Sequence, residues 1–323
     1  MEDIKLSIII PCFNSFHMMN QSLEFFSQNP DESFELIVVD DCSTDESYEL
    51  LQQYAISANF PMTVVRNSHN CGPGGSRNRG IQEAKGQYIS FLDADDFYTD
   101  EYFKEVFPHL NGVNDCVIYD FKFLYDNGKE WTYSSFFKDL EEGYVDSKKA
   151  TAFVRGSTCG KIYKKALVAE KKLQFLDQRR YEDMPFTKSV ISYCEHIVYI
   201  KLPLYVYVLH NNSLTHNDSL FTIDNVRNAY EYVLKHLNPD MVEEKKTIFA
   251  VEYLASSALI AIKQKSRKEW IEFVKTQEHI CEGYASSRYL KEYAKSKQVE
   301  INLIKNKAYY LLRLFLILKE RVK

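Results

Sequence analysis

The first hundred residues alternate short β-branched runs with amphipathic stretches, and this alternation limits the possible folds more than any other feature of the chain. Four runs are predicted as buried strands, at 6–10, 35–39, 62–66 and 87–92. Three stretches between them are predicted as helices, at 18–28, 45–58 and 75–84. This order predicts a Rossmann-like α/β fold, in which a mostly parallel sheet lies between layers of helices.

The rest of the chain divides into a mixed segment and a helical one. Between 99 and 218, aromatic-rich segments at 116–125 and 197–210 have strand character, while 148–154 and the segment after Glu182 have helical character. From 222 onward, helical periodicity covers 224–237, 241–263, 268–283 and 287–323. We therefore predict an α/β domain of two halves, 1–98 and 99–218, followed by a C-terminal all-helical region at 222–323.

Charge and cysteine content exclude several functional classes. The chain carries 40 Lys and Arg against 45 Asp and Glu, so it lacks the basic field that attracts nucleic acid. Its seven cysteines are scattered without a Cys-x-x-Cys pair, which disfavours a zinc site and favours a reducing compartment. The acidic start of the chain does not resemble a signal peptide. We expect a cytoplasmic protein without a nucleic-acid partner.

Acidic residues follow two of the predicted strands at the edge where open parallel sheets bind ligands. Asp40 and Asp41 follow the second strand, and Asp93, Asp95 and Asp96 follow the fourth. Five carboxylates at one edge repel one another, and a hard divalent cation such as Mg²⁺ or Mn²⁺ relieves that repulsion. The pattern therefore favours a metal site at this edge of the sheet.

The loop at 70–80 is rich in glycine and leads into a predicted helix. Backbone N–H groups at a helix start favour an anion, and Arg77 adds a cationic group that suits a phosphate. Arg77 stands where the third glycine of a dinucleotide fingerprint belongs, and the Gly-Lys-Ser/Thr ending of a P-loop is also missing. The sequence therefore argues against NAD binding and ATP hydrolysis.

Four segments together resemble the family-2 glycosyltransferases, which have the GT-A fold. Residues 7–14 (Ser-Ile-Ile-Ile-Pro-Cys-Phe-Asn) resemble the family's SIIIPxYN, and 39–45 resemble VDDGSTD with Cys42 in place of the glycine. Residues 74–81 resemble GxxxARNxGI, and 91–96 resemble the FLDADD (DxD) metal motif. Weaker matches follow at 180–184, an ED motif, and at 207–215, where Val208 replaces the usual arginine. The helical tail after 222 lies outside the resemblance.

The resemblance implies that 1–98 binds the nucleotide sugar and that 99–218 binds the acceptor. Within the first half, Asp41 is expected to hold the base and Asp40 to support it, while Arg77 lies near the base or the diphosphate and Asp93 lies by the ribose. The complete set of residues expected in the nucleotide-sugar pocket is Pro11, Phe13, Asn14, Asp40, Asp41, Asn70, Arg77, Asp93 and Ala94.

The resemblance also implies a division of labour in catalysis. Asp183 is expected to be the catalytic base, and Asp95 and His210 are expected to bind the Mn²⁺ or Mg²⁺ ion. The residues expected to contact the acceptor or to support the site from behind are Asp96, Lys161 and Glu182.

Such a site implies a metal-dependent, inverting enzyme that transfers a hexosyl or N-acetylhexosaminyl group from a nucleotide diphosphate sugar, by family frequency a UDP-sugar. The expected acceptor is a hydroxyl of a glycan, a glycolipid or a cell-surface polysaccharide precursor, free or lipid-linked. Two alternatives stay open. A sugar nucleotidyltransferase should have a glycine- and arginine-rich loop after the first strand, and a non-catalytic relative that binds nucleotide sugar or glycan should lack Asp95 or Asp183.

Helix capping is the plain alternative for four of these acids. Asp41 and Asp45 could cap the helix that follows them, and Glu182 and Asp183 could be first-turn acids that complement a helix dipole.

Two basic residues also have plain alternatives. His210 could be a structural histidine. Lys161 could belong to a solvated run of charge, since two further lysines follow at 164 and 165.

The end of the chain combines an apolar stretch with positive charge. Residues 308–318 are apolar apart from Arg313, and 287–323 carries ten Lys and Arg against three Glu, a net charge of +7. The apolar stretch is too short to span a bilayer, but a basic amphipathic helix can lie on an anionic membrane surface. This interpretation predicts that the protein makes peripheral contact with the inner face of the cell membrane. Packing on the protein itself and formation of a homo-oligomer are the alternatives.

Overall fold

The computed structural model describes residues 4–30, 33–125, 127–178, 180–209, 222–264 and 267–321. Within these ranges the first half of the chain forms four parallel strands in the order β3-β2-β1-β4. The strands are β1 (Leu6–Cys12), β2 (Phe34–Asp40), β3 (Met62–Arg66) and β4 (Tyr88–Phe91). The helices between them are α1 (Asn20–Gln28), α2 (Ser47–Ser57) and α3 (Gly72–Glu83). The predicted α/β fold is confirmed, and each predicted element lies within three residues of an observed one.

The second half adds strands on the far side of β4 and makes the sheet mixed. Its order continues from β4 through β9, β6 and β10 to β5, while β7 pairs with β6 and β8 with β10. β9 runs antiparallel to both β4 and β6, and β10 runs parallel to β6. The strands are β5 (Phe97–Tyr98), β6 (Cys116–Tyr125), β7 (Glu130–Tyr133), β8 (Gly143–Val145), β9 (Lys161–Lys164) and β10 (Ile197–Leu209). The helices are α4 (Tyr102–Val106), α5 (Ser147–Phe153), α6 (Lys165–Glu170) and α7 (Asp183–Tyr193).

Both faces of the sheet are covered by apolar side chains, which is why the sequences of its central strands are continuous hydrophobic runs. In β1, Ile9 faces one core cluster while Ile8 and Ile10 face the other, and all three are fully buried. Helix α3 packs tightly on β1 because Gly80 has no side chain. A Cβ at Gly80 would lie 2.3 Å from a methyl carbon of Ile9. This close approach brings the start of α3 to the edge of the sheet where the acids cluster.

The C-terminal residues form helices that share the core cluster of the α/β domain. Their bounds are α8 (Ile223–His236), α9 (Val242–Ile248), a π-helical turn (Phe249–Leu254), α10 (Ala255–Gln264), α11 (Arg267–Gln277), α12 (Lys295–Lys305) and α13 (Tyr309–Arg321). Between α11 and α12 the chain forms short 3₁₀ turns. The stretch at 287–323, predicted with one helical periodicity, is interrupted, because the chain turns through Lys307 at a φ of +55°. Among the described helices, none combines the length and apolar character needed to cross a membrane.

A buried ion pair fastens the C-terminal helices to the α/β domain. The ammonium of Lys188, on α7, lies 2.7 Å from the carboxylate of Glu252 in the π-helical turn, and the Lys188 side chain is fully buried. The same ammonium donates hydrogen bonds to the carbonyls of Thr151 and Val154 at the end of α5. Because a buried charge without a partner is costly, this pair fixes how α7 meets the helices behind it.

Candidate active site

The loops after β1 and β2 are joined by hydrogen bonds and form one wall of the polar edge. The backbone N–H of Asn14 donates to the Ser43 hydroxyl at 2.9 Å, and the Asn14 side-chain oxygen accepts from the Thr44 N–H at 2.8 Å. Asn14 has a φ of +51°, a left-handed conformation that asparagine tolerates better than most residues. Phe13, beside it, keeps 47% of its surface exposed. An exposed aromatic ring at the mouth of the edge suits contact with a planar base.

Asp41 caps a helix, but a different one from the helix expected. Its carboxylate accepts from the N–H groups of Cys71 and Gly72 at 2.8 and 2.7 Å, and from the Asn67 amide at 2.8 Å. The two backbone N–H groups belong to the start of α3 and Asn67 directly follows β3, so Asp41 ties the end of β2 to both ends of the loop between β3 and α3. Asp45 accepts from the Ser47 N–H at 3.0 Å and caps α2, the helix that follows it.

Asp40 and Cys42 flank Asp41 and stiffen the same loop. Asp40 is fully buried, accepts from the Ser43 N–H at 3.2 Å and lies 3.3 Å from the Arg66 guanidinium. Cys42 has a φ of +60°, which explains why glycine is usual at this position of the resembling motif. Its thiol donates to the Asn67 carbonyl at 3.0 Å. The β2 end is therefore preorganised by contacts within the protein.

Arg77 gathers three carboxylates at the centre of the edge. Its guanidinium donates to Asp93 at 2.8 Å, to Glu182 at 3.0 Å and to Asp183 at 2.8 Å. Only 4% of the Arg77 side chain is exposed. Burial alone lowers the pKa of Arg77, but Asp183, Asp93 and Glu182 outweigh it and raise the pKa well above its ordinary value. The structure thus brings Arg77 to the acids at the start of α7.

Asp183 lies in the first turn of α7 and has an unusual proton affinity. Burial is the largest cause that raises its pKa, Arg77 acts in the opposite direction, and Glu182 and Asp93 add to the rise, so that the pKa lies at about 7. The backbone N–H of Thr158 approaches its second carboxylate oxygen at 3.4 Å. The side chain retains 27% exposure, so a small molecule can reach it. A carboxyl group poised near neutral pH can accept a proton from a substrate.

Asp96 links β10 to the end of β4 through two hydrogen bonds. It is buried and accepts from the Tyr205 hydroxyl at 2.5 Å and from the Val208 N–H at 2.9 Å. Burial raises the pKa of Asp96 well above its ordinary value, and Asp93 and Asp95 add to the shift. The Tyr205 hydroxyl also accepts from the Asp93 N–H at 3.1 Å. The sequence did not single out Tyr205, although tyrosines alternate at 205 and 207 in the predicted strand.

Lys161 is fully buried at the start of β9, so the alternative that it belongs to a solvated run of charge is wrong. Its ammonium donates to the carbonyls of Ser157 at 2.6 Å and Cys159 at 3.3 Å. Burial lowers the pKa of Lys161 to about 8. These bonds fix the loop at 155–160, which carries the Thr158 N–H that faces Asp183. Lys161 therefore supports the site from behind.

The acids after β4 offer few vacant ligands for a metal. Asp93 is engaged by Arg77 and Asp96 by Tyr205. Asp95 lies between them in the sequence and is partly exposed. Within the ranges the structure describes, no three His, Cys, Asp or Glu side chains are grouped to hold an ion. His210 lies outside the described residues. An oxygen ligand from Asp95 with the phosphates of a bound nucleotide would suit Mg²⁺ or Mn²⁺, which often bind through one or two carboxylates and substrate phosphates.

The sequence matches a known protein family over half of its length. The model of the family described as glycosyl transferase family 2 matches residues 7–173. The chain is 27% identical over 225 residues to the putative glycosyltransferase EpsH of Bacillus subtilis, covering 66% of the chain and 63% of EpsH. It is 24% identical over 318 residues to the poly(ribitol-phosphate) beta-N-acetylglucosaminyltransferase TarS of Staphylococcus aureus, covering 92% of the chain and 54% of TarS. The chain thus spans about half to two thirds of these relatives.

Solved structures share the fold. TarS 1–349 in complex with UDP-GlcNAc superposes with a TM-score of 0.74 at 20% identity, covering 99% of the chain and 92% of that structure. The mannosyltransferase PcManGT from Pyrobaculum calidifontis, in complex with GDP-Man and Mn²⁺, superposes with a TM-score of 0.54 at 13% identity, covering 96% and 86%. The chain therefore shares its fold with two proteins whose structures contain different nucleotide sugars, UDP-GlcNAc in TarS and GDP-Man in PcManGT.

Because Arg77 is bound by three carboxylates, replacing it should lower the free energy of unfolding by an amount that depends on pH. Arg77→Met should lower the free energy of unfolding by about 3–5 kcal/mol, because it leaves buried carboxylates uncompensated. The variant should also raise the pKa of Asp183 further. A carboxyl group whose pKa is raised on folding lowers the free energy of unfolding as the pH rises from its unfolded pKa to its folded pKa. In the wild type this loss ends near pH 7, whereas in Arg77→Met it continues to higher pH, so the difference in the free energy of unfolding between the two proteins should be larger at pH 8 than at pH 6.

Urea denaturation of both proteins at the two pH values measures this effect. Arg79→Met is the matched control, because Arg79 lies on the same helix but is 45% exposed and pairs only with Glu83 among the ion pairs of the described residues. The control should unfold like the wild type at both pH values. A deficit of equal size at pH 6 and pH 8 in Arg77→Met contradicts the coupling to Asp183.

Proposed function

Since the chain belongs to glycosyl transferase family 2 and has the GT-A fold, we propose that it transfers a sugar from a nucleotide diphosphate sugar to an acceptor hydroxyl with inversion at the anomeric carbon. The observation that carries the proposal is Asp183, a partly accessible carboxyl group with a pKa near neutrality, linked through Arg77 to the acids after β4. One base is sufficient for an inverting transfer, because no covalent enzyme intermediate forms.

The proposed donor site is the edge formed by the loops after β1, β2 and β4. Phe13 and Asn14 offer a ring and an amide to the base, with Pro11, Asp40 and Asp41 behind them. Asn70 donates to the Asp41 carbonyl at 3.1 Å and closes the side toward α3. Asp93 and Ala94 end the floor of the pocket at β4. A UDP-sugar is our proposal for the donor, supported by the fold shared with the UDP-GlcNAc complex of TarS.

In the proposed reaction Asp183 removes the proton from the acceptor hydroxyl as that oxygen attacks the anomeric carbon. The nucleotide diphosphate leaves from the opposite face. Arg77 keeps Asp183 in place and limits the rise of its pKa, and Lys161 keeps the Thr158 N–H directed at it. Asp95 would hold Mn²⁺ or Mg²⁺ together with the diphosphate, and such a cation, when bound, neutralises charge on the leaving group. The same fold carries Mn²⁺ in PcManGT, which supports this choice of ion.

The proposed acceptor is a glycan, a glycolipid or a lipid-linked polysaccharide precursor. TarS is named for a polymeric acceptor, poly(ribitol phosphate), and this supports a polymer as the acceptor of the present chain, although ribitol is an open-chain polyol and not a sugar ring. The seven cysteines all carry free thiols, which supports the proposed cytoplasmic location.

Helix α13 supports the proposal of peripheral membrane contact. Its residues Tyr309, Leu312 and Leu316 are buried against the protein. The opposite face is apolar and exposed, and consists of Tyr310, Leu311, Leu314, Ile317 and Leu318. Basic residues, including Lys305, Lys307 and Arg313, lie exposed nearby. An exposed apolar face among positive charges fits a surface of anionic lipid.

Replacing Asp183, the proposed base, should impair the chemical step without impairing nucleotide binding. Asp183→Asn should lower the rate of UDP-GlcNAc hydrolysis, in which water takes the place of the acceptor, by about 10²–10⁴-fold, while UDP affinity stays the same. In the wild type the rate should rise with pH through about pH 7, because Asp183 must lose its proton to act. Nucleotide release with Mn²⁺, measured over a panel of UDP-GlcNAc, UDP-Glc and GDP-Man, provides the assay.

The control tests the alternative that Asp183 only complements a helix dipole. Asp224 is also a first-turn acid, on α8, and its side chain is 77% exposed. Asp224→Asn should retain full activity. Full activity in Asp183→Asn contradicts the assignment of the base, and hydrolysis of none of the donors by the wild type favours a non-catalytic binding protein.

Replacing two residues on the exposed face of α13 tests the membrane proposal. Leu311→Glu combined with Leu318→Glu should abolish sedimentation with anionic liposomes, and 0.5 M salt, at a screening length of about 4 Å, should weaken that of the wild type. Truncation is unsuitable, because it removes buried residues of the core. Ile56→Glu, at an apolar position of α2 that is 88% exposed, is the control and should still sediment. Self-association of the wild type with no liposome binding contradicts the proposal and favours a homo-oligomer.

A further inference from the structure

Six aromatic residues lie side by side on one face of the sheet beyond the proposed catalytic edge. In the strand register Tyr205 and Tyr207 of β10 pair with Phe121 and Phe123 of β6. Phe121 and Phe123 pair in turn with Tyr133 and Trp131 of β7. Paired positions of neighbouring strands share a face, and so do residues two apart along one strand. We call these six residues the aromatic row.

The rings of the aromatic row contact one another from strand to strand. The Phe123 ring centroid lies 5.1 Å from that of Tyr207, 5.1 Å from that of Tyr133 and 5.5 Å from that of Trp131. Exposure increases outward along the row. Tyr205 and Phe121 are buried, Phe123, Tyr133 and Tyr207 are partly buried, and Trp131 is 51% exposed. A large ring left this exposed on a four-residue strand is not needed to fill the core.

The inner end of the row is continuous with the proposed active site. The Tyr205 hydroxyl bonds to Asp96 and to the N–H of Asp93, whose carboxylate reaches Arg77. Tyr207 is close enough to Asp96, Asp93 and Asp95 that their charges add to the effect of burial and raise its pKa.

A second connection runs through Phe121. A Cβ at Gly160 would lie 2.6 Å from the Phe121 ring, and the Lys161 ammonium lies 6.0 Å from the centroid of that ring. The row therefore also borders the loop that positions the Thr158 N–H at Asp183.

Polar groups accompany the rings at the outer end. The Arg155 guanidinium, which carries several N–H groups, stacks 4.0 Å from the Tyr133 ring centroid. The ion pair of Lys122 and Glu130 lies on the opposite face of the sheet, because successive side chains of a strand alternate between faces. A flat aromatic surface bordered by hydrogen-bonding groups suits a sugar ring, which has an apolar face and a rim of hydroxyls. It suits a lipid surface less well, because the Arg155 guanidinium would be desolvated.

We propose that the aromatic row is an acceptor subsite, in which a sugar ring of the acceptor glycan stacks on Trp131 and directs the next hydroxyl toward Asp183. This rests on the proposed function for the direction of the acceptor, but the binding of sugar rings stands independently. It also specifies the acceptor class: the acceptor contains cyclic sugar residues, and a ring-free polyol phosphate does not use this surface.

Trp131 and Trp270 are the two tryptophans of the chain, so tryptophan fluorescence can report on the row directly. In Trp270→Phe, emission comes from Trp131 alone. Titration with chitotetraose, cellotetraose and maltotetraose should give a saturable change with at least one of them, and poly(ribitol phosphate) should give none. The absence of a change with every oligosaccharide overturns the subsite, and a saturable change with poly(ribitol phosphate) overturns its selectivity for rings.

A kinetic measurement connects the subsite to transfer. Trp131→Ala should raise the KM for the stimulating oligosaccharide about tenfold, a loss of one stacked ring, and Trp131→Phe should restore most of it. UDP-GlcNAc hydrolysis without oligosaccharide should be unchanged in both variants. An unchanged oligosaccharide KM in Trp131→Ala overturns the proposal, as does sedimentation that shows a wild-type dimer dissociated by the substitution.

The two measurements keep the two proposals apart. If the wild type hydrolyses no nucleotide sugar but Trp131 fluorescence still responds to an oligosaccharide, the proposed function fails and the sugar-binding subsite stands. Hydrolysis could instead proceed and depend on Asp183, while no oligosaccharide changes Trp131 fluorescence and the oligosaccharide KM is the same in Trp131→Ala as in the wild type. In that case the subsite fails and the proposed function stands.

Discussion

The buried guanidinium of Arg77 is the interaction on which the candidate site depends. It comes from α3, in the first half of the α/β domain, and binds Asp93 from the end of β4 together with Glu182 and Asp183, more than a hundred residues further along the chain. A buried guanidinium and three partly buried carboxylates are stable away from water only while they satisfy one another. The segments that carry them must therefore close around Arg77, which holds the proposed donor edge and the proposed base in one geometry.

The contacts around α7 extend this constraint into the C-terminal helices. The N-terminus of α7 is held by Arg77, and one turn later Lys188 binds Glu252 and the end of α5. The carbonyls held by Lys161 fix the loop facing Asp183 from the other side. Asp183, the proposed base, is thus surrounded by fixed charges and backbone groups, and its raised pKa follows from this enclosure. The helical region supports the site although none of its residues resembles a family motif.

The sequence predicted those parts of the structure that depend on local pattern. β1, β2 and β4 are buried on both faces, so each appears as an apolar run, and acids directly follow β2 and β4. The prediction of a buried strand at 62–66 was wrong, because β3 is the last strand at its side of the sheet and is partly exposed. β9 could not be recognised, because it has four residues with a lysine at each end, and the burial of Lys161 depends on carbonyls presented by a preceding loop. The partners of Asp41 and Asp96 were equally hidden, since Gly72 and Tyr205 reach them only through the sheet topology.

The proposed function depends most on the edge after β4 binding a nucleotide diphosphate through a metal ion held by Asp95. Isothermal titration calorimetry with UDP, with and without Mn²⁺, tests it most directly in the wild type and in Asp95→Ala. We expect Mn²⁺ to strengthen UDP binding to the wild type and to have no such effect on the variant. Equal strengthening in both proteins, or UDP binding to neither, would contradict it.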